Sequence, residues 1–274
     1  MNFSKMHGLS NDFMIIETIT QKISLTSKKI QTLSDRYKGV GFDQLLLVEK
    51  SFNSGIEFNY RIFNSDGSEV EQCGNGARCF ALFVYLKGLT KNKKIFVSTK
   101  KGILILKILK NNLVRVNMGK PNFLPKEIPL LTKIFKTKYS LFIKEKKIYF
   151  GAVSIGNPHC VITVNDINTK IVSELSPLIQ KNDFFPNSVN VGFMEIINSE
   201  KIKLRVYERG SNETKSCGSG ACAAVAVGIK QNILSNKVSV ELKGGKLEIL
   251  WKKENDVIYM TGLAEHVYDG SIYL

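Results

Sequence analysis

The chain of 274 residues contains one sequence pattern twice. The stretch "FNSDGSEVEQCGNGARC" begins at Phe63, and "YERGSNETKSCGSGAC" begins at Tyr207. The two align without a gap at a constant offset of 144 residues, so that Cys73 matches Cys217. A repeat of this length indicates that the chain folds as two related halves.

Two more matches lie upstream of the repeated cysteines. At an offset of 146 residues, Asn11 in "GLSNDFMIIET" matches Asn157 in "SIGNPHCVITV", and Gln44 in "FDQLLLVE" matches Asn190 in "SVNVGFME". Each amide side chain stands beside a run of apolar residues typical of a β-strand. The matched amides and the matched cysteine motifs occur in the same order in both halves, which predicts two copies of one domain.

Each half is predicted to consist mostly of antiparallel strands around one apolar helix. The predicted strands of the first half are Ile15–Glu17, Gln44–Glu49, Ile56–Asn64, Ile95–Thr99, Ile103–Leu109 and Leu113–Met118. Those of the second half are His159–Val164, Val189–Ile197, Lys201–Tyr207, Val238–Leu242, Lys246–Trp251 and Val257–Thr261. The predicted helices are Ala77–Lys87 and Ala221–Gln231, and the second is apolar on all sides and should be buried. The expected fold class is α+β, with two pseudo-symmetric domains and the active site in the cleft between them.

Each C-G-x-G-A motif places a cysteine at the start of a helix. The first N–H groups of a helix lack partners and carry the positive end of its dipole, which predicts a thiol pKa below the usual value of about 8.5. The same groups can hold a carboxylate. Two such sites facing each other could remove a proton from one face of a carbon and deliver a proton to the other. This arrangement predicts the inversion of a stereocentre next to a carboxylate.

Other roles for the cysteines are less consistent with their number and spacing. An odd count of five speaks against a disulfide framework, and neither cluster has the C-x2-C spacing common in zinc sites, so no metal is expected. A redox pair is the remaining rival, although redox motifs usually keep both sulfurs close in sequence. The cysteines outside the matched pair are expected to be small buried apolar residues: Cys79, Cys160 and Cys222.

The net charge of +15 raises the alternative of a non-enzymatic nucleic-acid-binding protein. Its basic residues are 33 Lys and only 6 Arg, scattered along the chain, whereas Arg usually leads in recognising bases and phosphates. We therefore expect a basic solvated surface with no nucleic-acid and no membrane partner. No apolar run approaches the ~20 residues of a membrane helix and the start lacks the features of a secretory signal, so a cytoplasmic location is expected.

Six motifs together resemble the diaminopimelate epimerases. They are "MHGLSNDF" (Met6–Phe13), "FNSDGSEVEQCGNGARC" (Phe63–Cys79), "GNPHCV" (Gly156–Val161), "ERG" (Glu208–Gly210), "CGSGACA" (Cys217–Ala223) and "HVYDG" (His266–Gly270). The resemblance implies interconversion of LL- and meso-2,6-diaminopimelate without pyridoxal phosphate or metal, for lysine and peptidoglycan synthesis. It also implies a barrel-like sheet around each helix. The domains would be residues 1–117, joined by the returning segment 263–274, and residues 118–262.

The resemblance also implies roles for individual residues. Cys73 would be the proton donor and Cys217 the proton acceptor in the LL-to-meso direction, and His159 and Glu208 would support them. The expected substrate-binding residues are Asn11, Gln44, Asn64, Gly74, Asn75, Asn157, Asn190, Glu208, Arg209, Gly218 and Ser219. Tyr268 would lie at the contact of a homodimer.

The family pattern and this chain differ at Asn212, where the family usually has Gly. Asn adopts positive φ angles more readily than most residues, so the turn before Cys217 is expected to be kept. A related cofactor-independent racemase of another amino acid, such as proline or histidine, is the main alternative. Arg209 can hold a distal carboxylate bidentately, and its presence together with Asn64 disfavours proline.

Overall fold

The computed structural model describes residues 1–71 and 73–273. The chain divides into two compact units. The first consists of Met1–Asn117 and the segment that begins at Thr261, and the second is Met118–Met260. Both are built mainly from β-strands with few helices, as the predicted α+β class requires.

The structure has the following elements in chain order. The first unit begins with β1 (Asn2–Gly8), β2 (Asn11–Glu17), α1 (Ser27–Ser34), β3 (Gln44–Lys50), β4 (Phe58–Asn64), β5 (Glu69–Val70), α2 (Gly74–Leu86), β6 (Lys94–Thr99), β7 (Gly102–Ile108) and β8 (Leu113–Asn117). The second unit contains a 3-10 turn (Pro125–Glu127), β9 (Tyr139–Ile143), β10 (Lys146–Ser154), β11 (Pro158–Val164), α3 (Ile171–Gln180), β12 (Asn190–Asn198), β13 (Lys201–Glu208), β14 (Asn212–Thr214), α4 (Gly218–Lys230), β15 (Lys237–Leu242) and β16 (Gly245–Leu250). The chain ends with β17 (Tyr259–Leu263) and β18 (Glu265–Ser271).

The two units share one strand topology. In the first unit, the pairings run β18–β1–β2–β3–β4–β6–β7–β8, with β5 added to β4. In the second unit, they run β9–β10–β11–β12–β13–β15–β16, with β14 added to β13. The pairs β2–β3, β4–β6, β11–β12 and β13–β15 are parallel and the other pairings named here are antiparallel, so each sheet is mixed and mostly antiparallel, as predicted.

The strand registers reproduce the sequence repeat residue by residue. Phe13 pairs with Gln44 in the first unit, and His159 pairs with Asn190 at the matching place in the second. The pairs that follow, β3 with β4 and β12 with β13, match in the same way. The predicted duplication is thereby confirmed in three dimensions.

A buried helix packs on the strands of each unit, as predicted. Helix α2 contacts β1, β2, β3, β7, β8 and β18, and α4 contacts β10, β11, β12, β13 and β16. Both helices begin three residues earlier than predicted, because Cys73 and Cys217 serve as their N-caps with φ angles of −137° and −130°. A Cβ on Gly151 would lie 2.3 Å from Val227 Cγ1, so this glycine lets β10 approach α4 closely. No helix in the described residues has the length and apolarity to cross a bilayer.

Sequence patterns predicted neither the 3-10 turn nor eight of the strands and helices, which are β1, α1, β5, β9, β10, α3, β14 and β18. Helix α1 buries only Ile30 and Leu33, and α3 contains Pro177, which ordinarily breaks a helical pattern. Strand β18 is exposed along nearly its whole length and therefore lacks the alternation that marks a half-buried strand.

Candidate active site

In the first unit, Cys73 lies at the N-terminus of α2 with its sulfur among polar partners. Its Sγ accepts the N–H of Gly76 at 3.5 Å and donates to Asn11 Oδ1 at 3.6 Å. Asn75 Nδ2 donates to the same oxygen at 3.4 Å, and the Tyr60 hydroxyl donates to the Cys73 carbonyl at 3.2 Å. The structure therefore brings together three predicted site residues, and Asn11 presents its oxygen to the thiol.

An ionic network determines which way the Asn11 amide points. Asn11 Nδ2 donates to Asp43 Oδ2 at 3.1 Å, and Asp43 pairs with Arg36 at 2.7 Å. Arg36 and Lys5 also hold Asp12 at 2.8 and 2.6 Å. Burial opposes ionisation of Asp12, but these two cations outweigh it and hold the pKa of that carboxyl well below its usual range. Sequence reasoning missed Asp43, although it directly precedes one of the matched amides in "FDQLLLVE".

Gln44 and Asn64 form a second polar group in the same unit. They lie opposite each other on β3 and β4, and Gln44 Nε2 donates to Asn64 Oδ1 at 3.0 Å. Asn64 Nδ2 donates in turn to Ser68 Oγ at 3.2 Å. This pair places two of the expected substrate-binding amides side by side.

In the second unit, Cys217 lies at the N-terminus of α4 and is only 5% exposed. Its Sγ donates to Glu208 Oε2 at 3.1 Å and lies 3.6 Å from Ser219 Oγ. The other oxygen of Glu208 accepts a hydrogen bond from Thr214 Oγ1 at 2.5 Å. A thiol and a carboxylate in direct contact can exchange a proton.

The pKa of Cys217 moves in the direction opposite to the one predicted from the helix N-terminus. Burial raises the pKa of the thiol well above its usual value, and the negative charge of Glu208 and the hydrogen bond to it raise that pKa further. Hydrogen bonds from Ser219 and from the N–H of Gly220 lower the pKa by less. Cys217 is therefore a protonated thiol at neutral pH, and the lowered thiol pKa predicted from the helix N-terminus is wrong for this residue.

His159 is fully buried next to Ser219. Its Nε2 lies 3.1 Å from Ser219 Oγ and 3.1 Å from Asn157 Oδ1, and Asn157 Nδ2 donates to Ser219 Oγ at 3.3 Å. Burial, and then the charge of Arg209, lower the pKa of His159 to about 3. His159 is therefore neutral at pH 7, and its contact with Cys217 runs through the Ser219 hydroxyl.

The amide of Asn190 bonds backbone groups. Its Nδ2 donates to the Pro158 carbonyl at 2.9 Å, and its Oδ1 accepts the N–H of Arg209 at 2.9 Å. The Arg209 guanidinium donates through Nη1 to the Asn187 carbonyl at 3.0 Å. The side chain of Asn190 therefore fixes the backbone next to Glu208.

The turn before Cys217 keeps the conformation that a glycine would adopt. Asn212 has a φ of +59°, and its Oδ1 accepts a hydrogen bond from the Tyr207 hydroxyl at 2.8 Å. Asn is among the residues most tolerant of this left-handed region. The expectation that the turn survives the exchange of Gly for Asn is confirmed.

The other cysteines are core residues, as predicted. Cys79, Cys160 and Cys222 are each 0% exposed, and burial raises the pKa of Cys79 to about 12. Tyr268 lies on β18, is 43% exposed and packs edge-to-face against Phe3. Within residues 1–71 and 73–273, no group of three or more His, Cys, Asp or Glu side chains is placed to hold a metal ion.

Known proteins resemble this chain in sequence and in fold. The family model described as diaminopimelate epimerase matches residues 3–124 and 151–267. Among solved structures, a probable proline racemase from Agrobacterium radiobacter K84 has a TM-score of 0.73 at 12% identity, covering 100% of this chain and 93% of its own. A hydroxyproline epimerase from Agrobacterium vitis has a TM-score of 0.71 at 11% identity, covering 98% and 91%. A phenazine biosynthesis protein from Bacillus anthracis has a TM-score of 0.67 at 16% identity, covering 100% and 99%. At these identities the solved structures show a common fold.

Proposed function

Because the chain belongs to the diaminopimelate epimerase family, we propose that it interconverts LL- and meso-2,6-diaminopimelate, for lysine and peptidoglycan synthesis. One α-proton leaves the substrate for one cysteine, and another proton arrives from the second cysteine on the opposite face. The observation that carries this proposal is the Cys217 thiol held 3.1 Å from the Glu208 carboxylate. A buried thiol needs an acceptor for its own proton before it can act as a base.

In the LL-to-meso direction, the Glu208 carboxylate takes the proton from Cys217. The resulting thiolate removes the α-proton of the substrate, and the Cys73 thiol gives its proton to the carbanion from the other face. At the end of the step, Cys217 holds the substrate's proton and Cys73 is a thiolate. Protons exchanged with solvent at Glu208 and Cys73 restore the starting state.

The neighbours of the two cysteines support this division of roles. Cys73 donates to the amide oxygen of Asn11, which stabilises the protonated thiol and has no capacity to take its proton away at neutral pH. Cys217 donates to a carboxylate, which does have that capacity. Cys73 therefore suits the donor and Cys217 the acceptor.

Substrate binding follows from the helix starts and the polar side chains around them. The N–H groups of Gly74, Asn75, Gly218 and Ser219 lie in the first turns of α2 and α4, where they favour a carboxylate. The distal end of the substrate carries a second carboxylate and ammonium, which Arg209 and the partly buried amides Asn64 and Asn157 recognise. The chemistry proposed here uses only side chains of the protein and requires neither pyridoxal phosphate nor a metal.

Isotope exchange in D2O tests the reaction directly. Incubation with LL-diaminopimelate should yield the meso form with deuterium at one α-carbon, measured by chiral chromatography and mass spectrometry. Cys73→Ala and Cys217→Ala should each lower epimerisation roughly 100-fold or more, since general acid–base groups contribute about that much. Full activity in either variant would exclude the two-cysteine mechanism.

A substrate panel separates the proposal from its alternative. Structures of similar fold include a probable proline racemase and a hydroxyproline epimerase. The same assay with proline, hydroxyproline and histidine should show turnover far below that with diaminopimelate. Faster turnover of any of these would assign the protein to another racemase activity.

A further inference from the structure

Thr214 holds the side of Glu208 that faces away from Cys217. Its Oγ1 donates to Glu208 Oε1 at 2.5 Å, while Glu208 Oε2 accepts the Cys217 thiol at 3.1 Å. We propose that Thr214 is a positioning residue that orients the Glu208 carboxylate toward Cys217. The proposal rests on the proposed function insofar as Glu208 and Cys217 act as a proton-transfer pair.

The local geometry makes Thr214 suited to this task. Glu208 ends β13, Thr214 ends β14, and the two strands pair antiparallel around the turn, with Thr214 opposite Val206. Thr is stiff at χ1, so its hydroxyl has few directions available, whereas a Glu side chain has three rotatable bonds. A hydrogen bond to one oxygen therefore limits the rotation of the carboxylate and aims its other oxygen at the sulfur.

The first unit supplies an internal comparison for this hairpin. At the matching positions it has Val70 in place of Thr214 and Asn64 in place of Glu208. The two hairpins share their register at these positions, because Ile62 pairs with Val70 as Val206 pairs with Thr214. An arginine–glutamate pair also recurs in both copies, at 2.8 Å for Arg61–Glu69 and 2.7 Å for Arg205–Glu213.

The hairpin therefore forms in this chain with either a valine or a threonine at this position. The hydroxyl is present in the copy that carries the carboxylate and absent from the copy that carries an amide. Its role is accordingly local to Glu208, and Thr214→Val reproduces a residue that the same hairpin already accepts in the first unit.

Kinetics of matched variants test the proposal. Thr214→Val should lower kcat roughly 10-fold or more with KM changed by less than about twofold, since a misplacement of about 1 Å can cost ~100-fold. Thr214→Ser keeps the hydroxyl and should restore most of kcat. Both variants should unfold close to the wild-type temperature. A kcat within twofold of wild type in Thr214→Val, or equal losses in the Val and Ser variants, would overturn the proposal.

A measurement without substrate separates this proposal from the proposed function. The S–H stretching band of Cys217, identified by its loss in Cys217→Ala, reports the hydrogen bond to Glu208 in infrared spectra. The band should move to higher frequency in Thr214→Val and stay in place in Thr214→Ser. If the wild type does not epimerise diaminopimelate, the proposed function fails while the band still tests the positioning role. A band that is unchanged in Thr214→Val overturns that role, whatever the activity.

Discussion

Two cysteines occupy the same place in two copies of one domain, yet their neighbours differ. Cys73 donates to the neutral amide of Asn11, and Cys217 donates to the carboxylate of Glu208. Both cap a helix, so the helix dipole alone does not distinguish them. The distinction comes from the acceptor of each thiol, which is the amide of Asn11 in the first copy and the carboxylate of Glu208, from a different position of the repeat, in the second.

Glu208→Gln should separate the two effects of the carboxylate on Cys217. The variant loses the acceptor for the thiol proton, so kcat should fall roughly 100-fold or more. The negative charge that raises the pKa of Cys217 is also removed, so that pKa should fall. The measurement is the pH dependence of iodoacetamide labelling at Cys217, followed by peptide mass spectrometry.

Labelling of Cys217 in this variant should titrate at lower pH than in the wild type. Labelling of Cys73 in the same samples serves as the control. A titration at unchanged or higher pH would show that Glu208 does not act on the thiol as described.

His159 should make stability depend on pH. The pKa of its ring is about 3 in the folded protein, against the ordinary value of 6.5, so the unfolded chain binds the proton more tightly. Stability is therefore fully present above about pH 6.5 and falls as the pH drops toward 3. Between pH 6.5 and 4.5 the loss should be on the order of 2 kcal/mol.

Urea unfolding of the wild type and of His159→Gln at several pH values measures this contribution. The variant should lack that part of the pH dependence, whereas His266→Gln, which changes a partly exposed histidine, should keep it. Parallel stability curves for the wild type and His159→Gln would contradict a buried neutral ring.

At the level of secondary-structure elements, close packing explains why a glycine lies in the first turn of both α2 and α4. A Cβ on Gly76 would lie 2.7 Å from the Tyr60 hydroxyl, and one on the matching Gly220 would lie 2.9 Å from Val206 Cγ2. Both contacts are to the strand that packs beneath the helix start. The repeated glycine therefore brings the first turn of each helix down onto its sheet.

Gly220→Ala should consequently destabilise the protein. The added methyl group would also lie 3.3 Å from Cys217 Sγ, so both packing and the thiol position should suffer. Overpacking of this kind costs about 1–3 kcal/mol. Gly192→Ala is the matched control, since its Cβ would meet its nearest atom at an ordinary 3.5 Å. Equal unfolding free energies for the two variants in urea would argue against the packing explanation.

For the whole molecule, strand β18 is the surface that we expect to take part in self-association. Its residues are largely exposed, including Val267 at 54% and Tyr268 at 43%. Strand β18 pairs antiparallel with β1. We expect a homodimer that uses this strand, in line with the place of Tyr268 in the family pattern.

Sedimentation velocity should show a dimer for the wild type and a shift toward monomer for Tyr268→Glu. The introduced carboxylate would have to be buried among apolar side chains at the contact, and burying an unpaired charge disfavours the dimer. Tyr37→Glu changes a tyrosine that is 98% exposed elsewhere and should leave the dimer intact. Equal sedimentation of the two variants would remove β18 from the interface.

Much of the fold was predictable from the sequence because the repeat constrains it twice. The helices after Cys73 and Cys217, the buried character of α4 and the strands around them follow from local patterns of apolar residues and glycines. The parallel pairs β2–β3 and β11–β12 did not follow, since strand order depends on contacts between segments far apart in the chain. Strand β18 was missed because an exposed strand carries no alternating pattern.

The amino-acid sequence alone was enough to predict the duplication, the two matched cysteines, the helix starts that they cap and the family to which the chain belongs. These properties follow from short sequence motifs and from the spacing between them. The folded chain was needed to show that Cys217 is a protonated thiol against Glu208, that Asp43 turns the Asn11 oxygen toward Cys73, and that His159 is neutral. The protonation and the orientation of a side chain depend on its burial and on all the charges and hydrogen bonds around it in the folded chain. These neighbours come from segments far apart in the sequence, so a local sequence pattern does not predict their combined effect.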